Sequence, residues 1–154
     1  MKKFLLAWVL LAATYLTGCA SVPMDSPEQD ILMKEFAAPE NGNAGLYIYR
    51  NSNFGGALKK NLYIDKEFIG ESAPMTYFYQ EVGPGEHTLS TESEFSDNDL
   101  KIQVESGQNY FVRQYIKMGL FVGGANLERV PESEGQSGVR ECKLANSRKL
   151  ADGK

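Results

Sequence analysis

The residue type most often used for acid–base and metal chemistry occurs once in this chain, as His87. One histidine excludes three-His zinc sites and two-His facial triads within a single chain. A Ser–His–acid triad would have to use His87, which follows a Gly-Pro-Gly turn where an imidazole commonly caps or packs. No Gly-x-Ser-x-Gly elbow accompanies it. We therefore expect His87 to be structural, with a catalytic role as the alternative.

Two other features invite a ligand hypothesis. The acidic stretch from Glu92 to Asp99 could offer carboxylate oxygens to calcium, but it lacks the spacing of an EF-hand. The glycine pairs Gly55-Gly56 and Gly123-Gly124 fit neither a P-loop nor a dinucleotide fingerprint, and no evident helix follows either pair. We predict a solvated turn and two flexible loops, with no metal or cofactor.

The residue with the clearest chemistry is Cys19, which closes the sequence Leu16-Thr17-Gly18-Cys19. This tetrapeptide resembles a lipobox, in which a thiol accepts a diacylglyceryl group and a small preceding residue admits the processing peptidase. Cleavage between Gly18 and Cys19 then frees an amine for a further acyl chain. Two or three acyl chains anchor a protein firmly, whereas one anchors it weakly. The alternative is a buried cysteine on an ordinary helix.

The residues before Cys19 have the pattern of an export signal. Two lysines precede an apolar run of 13 residues, Phe4 to Leu16, broken only by Thr14. A spanning helix needs about 20 apolar residues, so this run is too short to cross a bilayer comfortably. Ala20 and Ser21, rather than Asp, follow the cysteine. In enterobacteria-like sorting this favours the outer membrane, facing the periplasm.

Composition limits what the mature chain can bind. Removal of residues 1–18 leaves 136 residues, enough for one domain. Their 14 basic and 20 acidic side chains give a net charge of −6 without a basic cluster, which argues against nucleic acid as a partner. With Cys19 acylated, Cys142 has no partner within the chain. We expect Cys142 to be buried, with a cross-link to another chain as the alternative.

Several tyrosines lie on predicted strands whose other face is largely apolar. If they shared one exposed surface, they would form an aromatic platform suited to sugar rings or a protein partner; ordinary half-buried strand tyrosines are the alternative. The five are Tyr47, Tyr49, Tyr63, Tyr77 and Tyr79. A second candidate surface is the apolar run Gly119 to Val122, as core or as a docking loop tip.

Periodicity predicts the elements that carry these residues. Ser26-Pro27 begins a short helix whose apolar stripe would be Ile31, Leu32 and Phe36, lying against the domain or floating free of it. From Ala44 the apolar period becomes two, and turn signals recur about every eight to twelve residues, as in an antiparallel β-sandwich or open barrel. After Pro131 an acidic, glycine-broken segment predicts one or two helical turns.

The order of several motifs resembles the bacterial lipoprotein family named domain of unknown function 2846. The resemblance covers about residues 36–144 and implies an all-β envelope domain, without supplying an active site. Its motifs are Ala44–Arg50, Asn61–Asp65, Val82–Leu89, Gly107–Arg113, and Glu134-Gly135 ahead of Cys142–Leu144. One departure is the turn Asp65-Lys66-Glu67, which lacks glycine; we expect it to avoid two positive φ angles through a longer loop or a bulge.

Together these patterns predict four segments: a signal peptide (1–18), a lipidated tether with a short helix (19–43), an all-β domain (44–144) and a tail (145–154). The expected function is a non-enzymatic envelope lipoprotein, held to the membrane by its acyl chains, that serves structure, assembly or protein binding. A module for glycan or peptidoglycan is the alternative. A hydrolase ranks last, because the polar constellation is missing.

Overall fold

A computed structural model describes residues 20–148 of the chain. The predicted acylation and cleavage site at Gly18 and Cys19 lies outside the described residues. The elements follow in the order α1 (Pro27–Met33), β1 (Ala44–Arg50), β2 (Lys60–Ile64), β3 (Glu67–Ser72), β4 (Thr76–Val82), β5 (Gly85–Glu92), β6 (Asp97–Val104), β7 (Asn109–Lys117), β8 (Gly124–Val130), α2 (Glu132–Glu141) and β9 (Lys143–Leu144).

The strands form two packed sheets, so the predicted all-β sandwich with a short N-terminal helix is confirmed. One sheet has the order β8-β7-β1-β4-β9 and the other the order β3-β2-β5-β6. Most neighbours are antiparallel, whereas β1–β7 and β4–β9 are parallel. Apolar side chains from both sheets fill the space between them, including Leu46, Ile48, Leu62, Ile64 and Phe78.

Two helices cover the outer face of the five-stranded sheet. β1 lies at the centre of this sheet and is buried along its whole length, because one face meets the second sheet and the other meets the helices. The segment after Pro131 forms a ten-residue helix, longer than the one or two turns predicted. The molecule therefore has three layers: a four-stranded sheet, a five-stranded sheet, and α1 with α2.

Helix α1 begins as predicted but presents a different face to the domain. The Ser26 hydroxyl accepts a hydrogen bond from the N–H of Gln29 at 3.2 Å, with Pro27 in the first turn. The predicted stripe is wrong at two of its three positions, because Ile31 and Leu32 are 64% and 48% exposed. Asp30 and Met33 face the domain instead, together with Phe36 beyond the helix.

The segments before α1 and after β9 both lie on the domain. The Asp25 N–H donates to Leu144 O at 3.0 Å, and the Asn146 N–H donates to Pro23 O at 2.9 Å. Farther on, the Arg148 N–H donates to Ile69 O at 2.9 Å. The predicted tether is thus hydrogen-bonded to β9 at Asp25 and to the predicted tail at Pro23, and the tail is hydrogen-bonded to β3 at Arg148.

The turn between β2 and β3 differs from the expectation. Asp65 and Lys66 form a two-residue loop with φ angles of 51° and 71°, so both positive angles occur without glycine. The Asp65 carboxylate accepts the Thr88 N–H at 2.9 Å, which helps to hold this conformation. A register shift is present, but it lies in the β2–β3 ladder next to Leu62 and Tyr63 rather than in the turn.

Because β1 and β7 are parallel, their C-terminal ends lie at the same edge of the sheet. The loops 51–59, 93–96 and 118–123 meet there, and we call this part of the molecule the loop end. The side chain of Ile116 lies against Gly55, that of Leu58 lies against Gly123, and the Leu120 N–H donates to Glu94 Oε2 at 2.6 Å. The starts of β1 and β7 lie at the opposite end.

Candidate functional surfaces

The tyrosine surface expected from the sequence is not exposed. Alternation along β1 and β4 does place four of the five tyrosines on one face, since Tyr47 pairs with Tyr79 and Tyr49 with Tyr77. The exposed fractions of Tyr47, Tyr49 and Tyr77 are, however, only 1%, 2% and 0%. Tyr63 belongs to the other sheet, where its ring meets that of Phe68. The prediction of an aromatic binding platform is wrong for this reason.

The four tyrosines instead form the inner layer beneath the helices. The ring of Tyr47 stacks on that of Phe111 with centroids 5.0 Å apart, and the ring of Phe36 meets its edge at 5.3 Å. The Tyr47 hydroxyl donates to Met33 O at 2.8 Å. Burial raises the pKa of Tyr49 to about 12. These phenols are therefore neutral, structural groups at physiological pH.

Cys142 is a free cysteine whose side chain is buried, with an exposed fraction of 1%. Burial first, and the nearby charge of Glu141 second, raise the pKa of the Cys142 thiol to about 12. The expectation that Cys142 is buried is confirmed. A thiol in this environment is poorly reactive, because the thiolate is the nucleophilic form.

His87 joins two turns. Its Nδ1 lies 2.6 Å from Asp65 Oδ2, and its Nε2 lies 2.7 Å from Gly83 O. Both partners are oxygen atoms that accept hydrogen bonds. The ring thereby links the β2–β3 turn to the β4–β5 turn. No group of three or more His, Cys, Asp or Glu side chains within residues 20–148 is arranged to hold a metal ion.

A polar groove of about 790 Å³ lies at the end opposite the loop end. It is lined by amides and charged groups, among them Gln103, Glu105, Gln108, Arg129 and Glu132. The Arg129 guanidinium lies 4.9 Å from the ring centroid of Tyr110. The sequence did not single out this groove, since its members come from β6, β7, β8 and α2 and have no common spacing.

The apolar run predicted as core or docking tip is a tip. Met118, Leu120, Phe121 and Val122 are 84%, 78%, 82% and 53% exposed in the β7–β8 loop. Phe95, in the adjoining β5–β6 loop, is 79% exposed. Together we call these side chains the apolar tip.

The apolar tip is held in place by one carboxylate. Glu94 accepts the N–H groups of Leu120 at 2.6 Å and Val122 at 3.1 Å, and also that of Phe121. Desolvation acts to raise the pKa of Glu94, but these three hydrogen bonds outweigh it and lower the pKa. The acidic stretch predicted as a solvated turn thus makes defined contacts, since Glu92 accepts the Asn61 N–H at 2.9 Å and Asn98 Nδ2 donates to Ala125 O at 2.6 Å. Within residues 20–148 its carboxylates do not form a group that could hold a metal ion.

Arg50 organises the neighbouring loop. Its guanidinium is buried and donates to Leu58 O at 2.8 Å, Phe54 O at 3.1 Å and Gly55 O at 2.9 Å. These bonds fix the backbone around the first glycine pair. The Ala20 N–H donates to Gly56 O at 3.0 Å on the same loop. The chain therefore enters the described domain at the loop end.

Within the described residues, no helix has the length and apolar character needed to cross a membrane.

Comparison with known proteins defines the class of this all-β domain. A family model described as a protein of unknown function (DUF2846) matches residues 40–125, and the chain belongs to that family. The resemblance to domain of unknown function 2846 is thus confirmed over residues 40–125. A curated relative, an uncharacterized protein of Haemophilus influenzae, is 56% identical over 146 residues, which cover 95% of this chain and 87% of the relative. No solved structure matches the chain.

Proposed function

We propose that the chain is a lipoprotein of the bacterial cell envelope, acylated on Cys19, whose domain is a non-enzymatic module for assembly or protein binding. The signal pattern and the sequence Leu16 to Cys19 support export and acylation. Ala20 and Ser21 after the cysteine favour the outer membrane, on its periplasmic side.

The observation that carries this proposal is the position of Ala20. The residue that follows the acylated cysteine is already hydrogen-bonded to Gly56 of the domain. The fold therefore begins where the anchor ends, without a spacer. An anchor of this kind holds the domain close to the bilayer, which suits a module that works on the envelope itself.

The use of polar side chains supports a binding module rather than an enzyme. His87 spends both ring nitrogens on turn contacts. The side-chain amide of the buried Gln114 is hydrogen-bonded to Ser72 and Thr91, and these hydrogen bonds join the two sheets. Neither side chain is therefore free to act on a substrate.

The first experiment is metabolic labelling with palmitate in cells that make the full-length protein. The wild type and the matched variant Cys142→Ala should incorporate the label, whereas Cys19→Ala should not. Label retained in Cys19→Ala would refute the acylation assignment.

The second experiment tests the assembly role. Crosslinking in living cells, followed by purification through a C-terminal tag, should recover an envelope partner in stoichiometric amount. Recovery of the monomer alone would contradict the assembly role and leave the glycan hypothesis to be tested.

The polar groove favours a second candidate, a module for glycan or peptidoglycan. Its amides, carboxylates and Arg129 offer the donors and acceptors that sugar hydroxyl and acetamido groups require. Under this hypothesis the purified lipoprotein sediments with cell-wall sacculi, and Arg129→Ala weakens the binding. Lys143→Ala, which removes a 75% exposed cation far from the groove, is the matched control. Equal binding by both variants would count against the groove.

A further inference from the structure

The apolar tip and the point of chain entry lie at the same end of the molecule. The Ala20 N–H is hydrogen-bonded to Gly56 O. The neighbouring Gly55 lies against the side chain of Ile116, and Ile116 precedes Met118 by two residues. Leu58, farther along the same loop, lies against Gly123. Two independent features therefore meet at the loop end: the residue that follows Cys19, and the most exposed apolar side chains of the domain.

We propose that the loop end is a membrane-inserting surface, and that the apolar tip enters the same bilayer that receives the acyl chains of Cys19. This inference rests on the proposed acylation, because Cys19 is bonded directly to Ala20. Acyl chains attached there bring the loop end, rather than the groove end, to the bilayer. Transfer of large apolar side chains from water into the boundary between headgroups and acyl chains lowers the free energy.

The tip is built as a preformed surface rather than a loose loop. Glu94 binds three consecutive backbone N–H groups, and Gly119 packs so closely on Val122 O that a β-carbon there would overlap it. Three backbone N–H groups that would otherwise need water are thereby satisfied. Insertion of Leu120 and Phe121 therefore does not require those amides to lose a water partner.

The charges around the tip indicate which lipid surface suits it. Glu92, Asp97 and Asp99 lie on the strands that flank Glu94, whereas Lys117 is an exposed cation at the base of the tip. This acidic surrounding disfavours attraction to a strongly anionic surface. The tip therefore inserts through apolar contact into a largely zwitterionic leaflet, and binding depends little on anionic lipid.

Insertion at the loop end fixes the orientation of the domain. The groove lies at the start of β7 and the end of β8, which is the far end of both strands. With the apolar tip in the bilayer, the groove faces away from the membrane. A partner or glycan in the aqueous compartment then meets the groove rather than the membrane-facing loops.

Tryptophan fluorescence offers a direct test on the full-length lipoprotein. The single tryptophan, Trp8, lies in the predicted signal peptide, so the processed wild type has none. Phe121→Trp places one reporter in the tip, where the side chain is 82% exposed. Ile31→Trp places a matched reporter on the outward face of α1, where the side chain is 64% exposed. Neither position is in the core, so both variants should fold.

The proteins are purified from membranes and reconstituted into phosphatidylethanolamine–phosphatidylcholine vesicles, with and without brominated acyl chains. We expect blue-shifted emission from Trp at position 121 that brominated lipid quenches by more than half, and water-like, unquenched emission at position 31. Water-like emission at position 121 in vesicle-bound protein would overturn the inference while leaving acylation intact. Blue-shifted emission without lipid quenching would also overturn it, and would indicate a second copy covering the tip.

Failure of the proposed function gives a different signal. Tryptophan emission from the wild type would show that the signal peptide had not been removed. A wild-type protein that incorporates no palmitate and does not associate with vesicles would refute the proposed acylation of Cys19. Insertion of the tip is therefore tested separately from acylation.

Discussion

Gly138 of α2 lies so close to the ring of Tyr49 that a β-carbon at position 138 would overlap the Cε2 atom. Gly135, one turn earlier, stands in the same relation to the side chain of Phe111. Both positions are buried. The helix thus rests its backbone directly on aromatic rings, and this contact closes the outer layer of the fold.

The first prediction concerns that contact. Gly138→Ala should destabilise the domain by about 1–3 kcal/mol, because the added methyl group forces the helix and ring apart. The alanine's better helix propensity, about 1 kcal/mol, offsets only part of this cost. Urea unfolding measures the effect. Gly83→Ala is the control, since a β-carbon there meets nothing within 4 Å. Equal midpoints for both variants would contradict the packing.

The second prediction concerns the polar chain between the sheets. Gln114 Nε2 donates to Thr91 Oγ1 at 2.7 Å, and the Ser72 hydroxyl donates to Gln114 Oε1. Gln114→Met leaves the buried Ser72 hydroxyl without its acceptor, at a cost of about 1–3 kcal/mol, while the Thr91 hydroxyl still donates to Asn61 O at 3.1 Å. The exposed Gln103→Met should change the free energy of unfolding by less than about 0.5 kcal/mol. A neutral Gln114→Met would show that the chain adds no stability.

The third prediction concerns pH. Burial acts to raise the pKa of Asp30, but hydrogen bonds from the Lys34 ammonium at 2.9 Å and the Leu144 N–H at 3.0 Å contribute to a net lowering. Because the pKa of Asp30 is lower in the folded state than in the unfolded state, the ionised carboxylate stabilises the fold at pH values above the unfolded-state pKa. This stabilisation is lost as pH falls through the folded-state pKa. Asp30→Asn should therefore be destabilised at pH 7 by about 1–3 kcal/mol.

The difference between wild type and Asp30→Asn should shrink below about pH 4, where the wild-type carboxyl takes up a proton in the unfolded chain. Thermal unfolding across pH 3 to 7 follows the difference. Asp99→Asn, at an exposed position, serves as the control for the loss of one carboxylate. A constant gap between Asp30→Asn and wild type would contradict the assigned ionisation.

The fourth prediction concerns thiol counting. Because burial raises the pKa of Cys142 to about 12, a maleimide at pH 7 should not label it in the folded protein. In the wild type, urea should expose one reactive thiol, since Cys19 carries lipid under the proposed function. Cys19→Ala should give the same single thiol. Rapid labelling of Cys142 without denaturant would contradict its burial.

The strand pattern was readable from the sequence because burial follows a period of two. Tyr47 and Tyr49 alternate with Leu46 and Ile48, and the structure places the two sets on opposite faces of β1 as that period requires. Periodicity does not say what covers a face. The sequence therefore grouped four of the five tyrosines correctly, but it left open whether their shared face is exposed or buried.

The covering helix was hard to recognise for a physical reason. α2 contacts the aromatic layer through Gly135, Gly138 and Val139, not through a stripe of large apolar side chains. In the sequence, such a helix is an acidic segment interrupted by glycines, without an apolar stripe. Likewise, Asp65 and Lys66 both adopt positive φ angles, which Asn-Gly, Asp-Gly or Gly-Gly usually supply in a two-residue hairpin turn. The side-chain contacts of Asp65 with Thr88 and His87 come from a distant strand.

The position of α2 in the chain has a consequence for the order in which the fold is completed. β1, β4 and β7 supply the aromatic layer, yet the helix and β9 that cover and extend it come from residues 132–144. A chain that emerges N-terminus first keeps the rings of Tyr49 and Phe111 uncovered until residues 132–144 are available. A copy that lacks residues 132–144 would expose an aromatic, aggregation-prone surface that chaperones and proteases recognise.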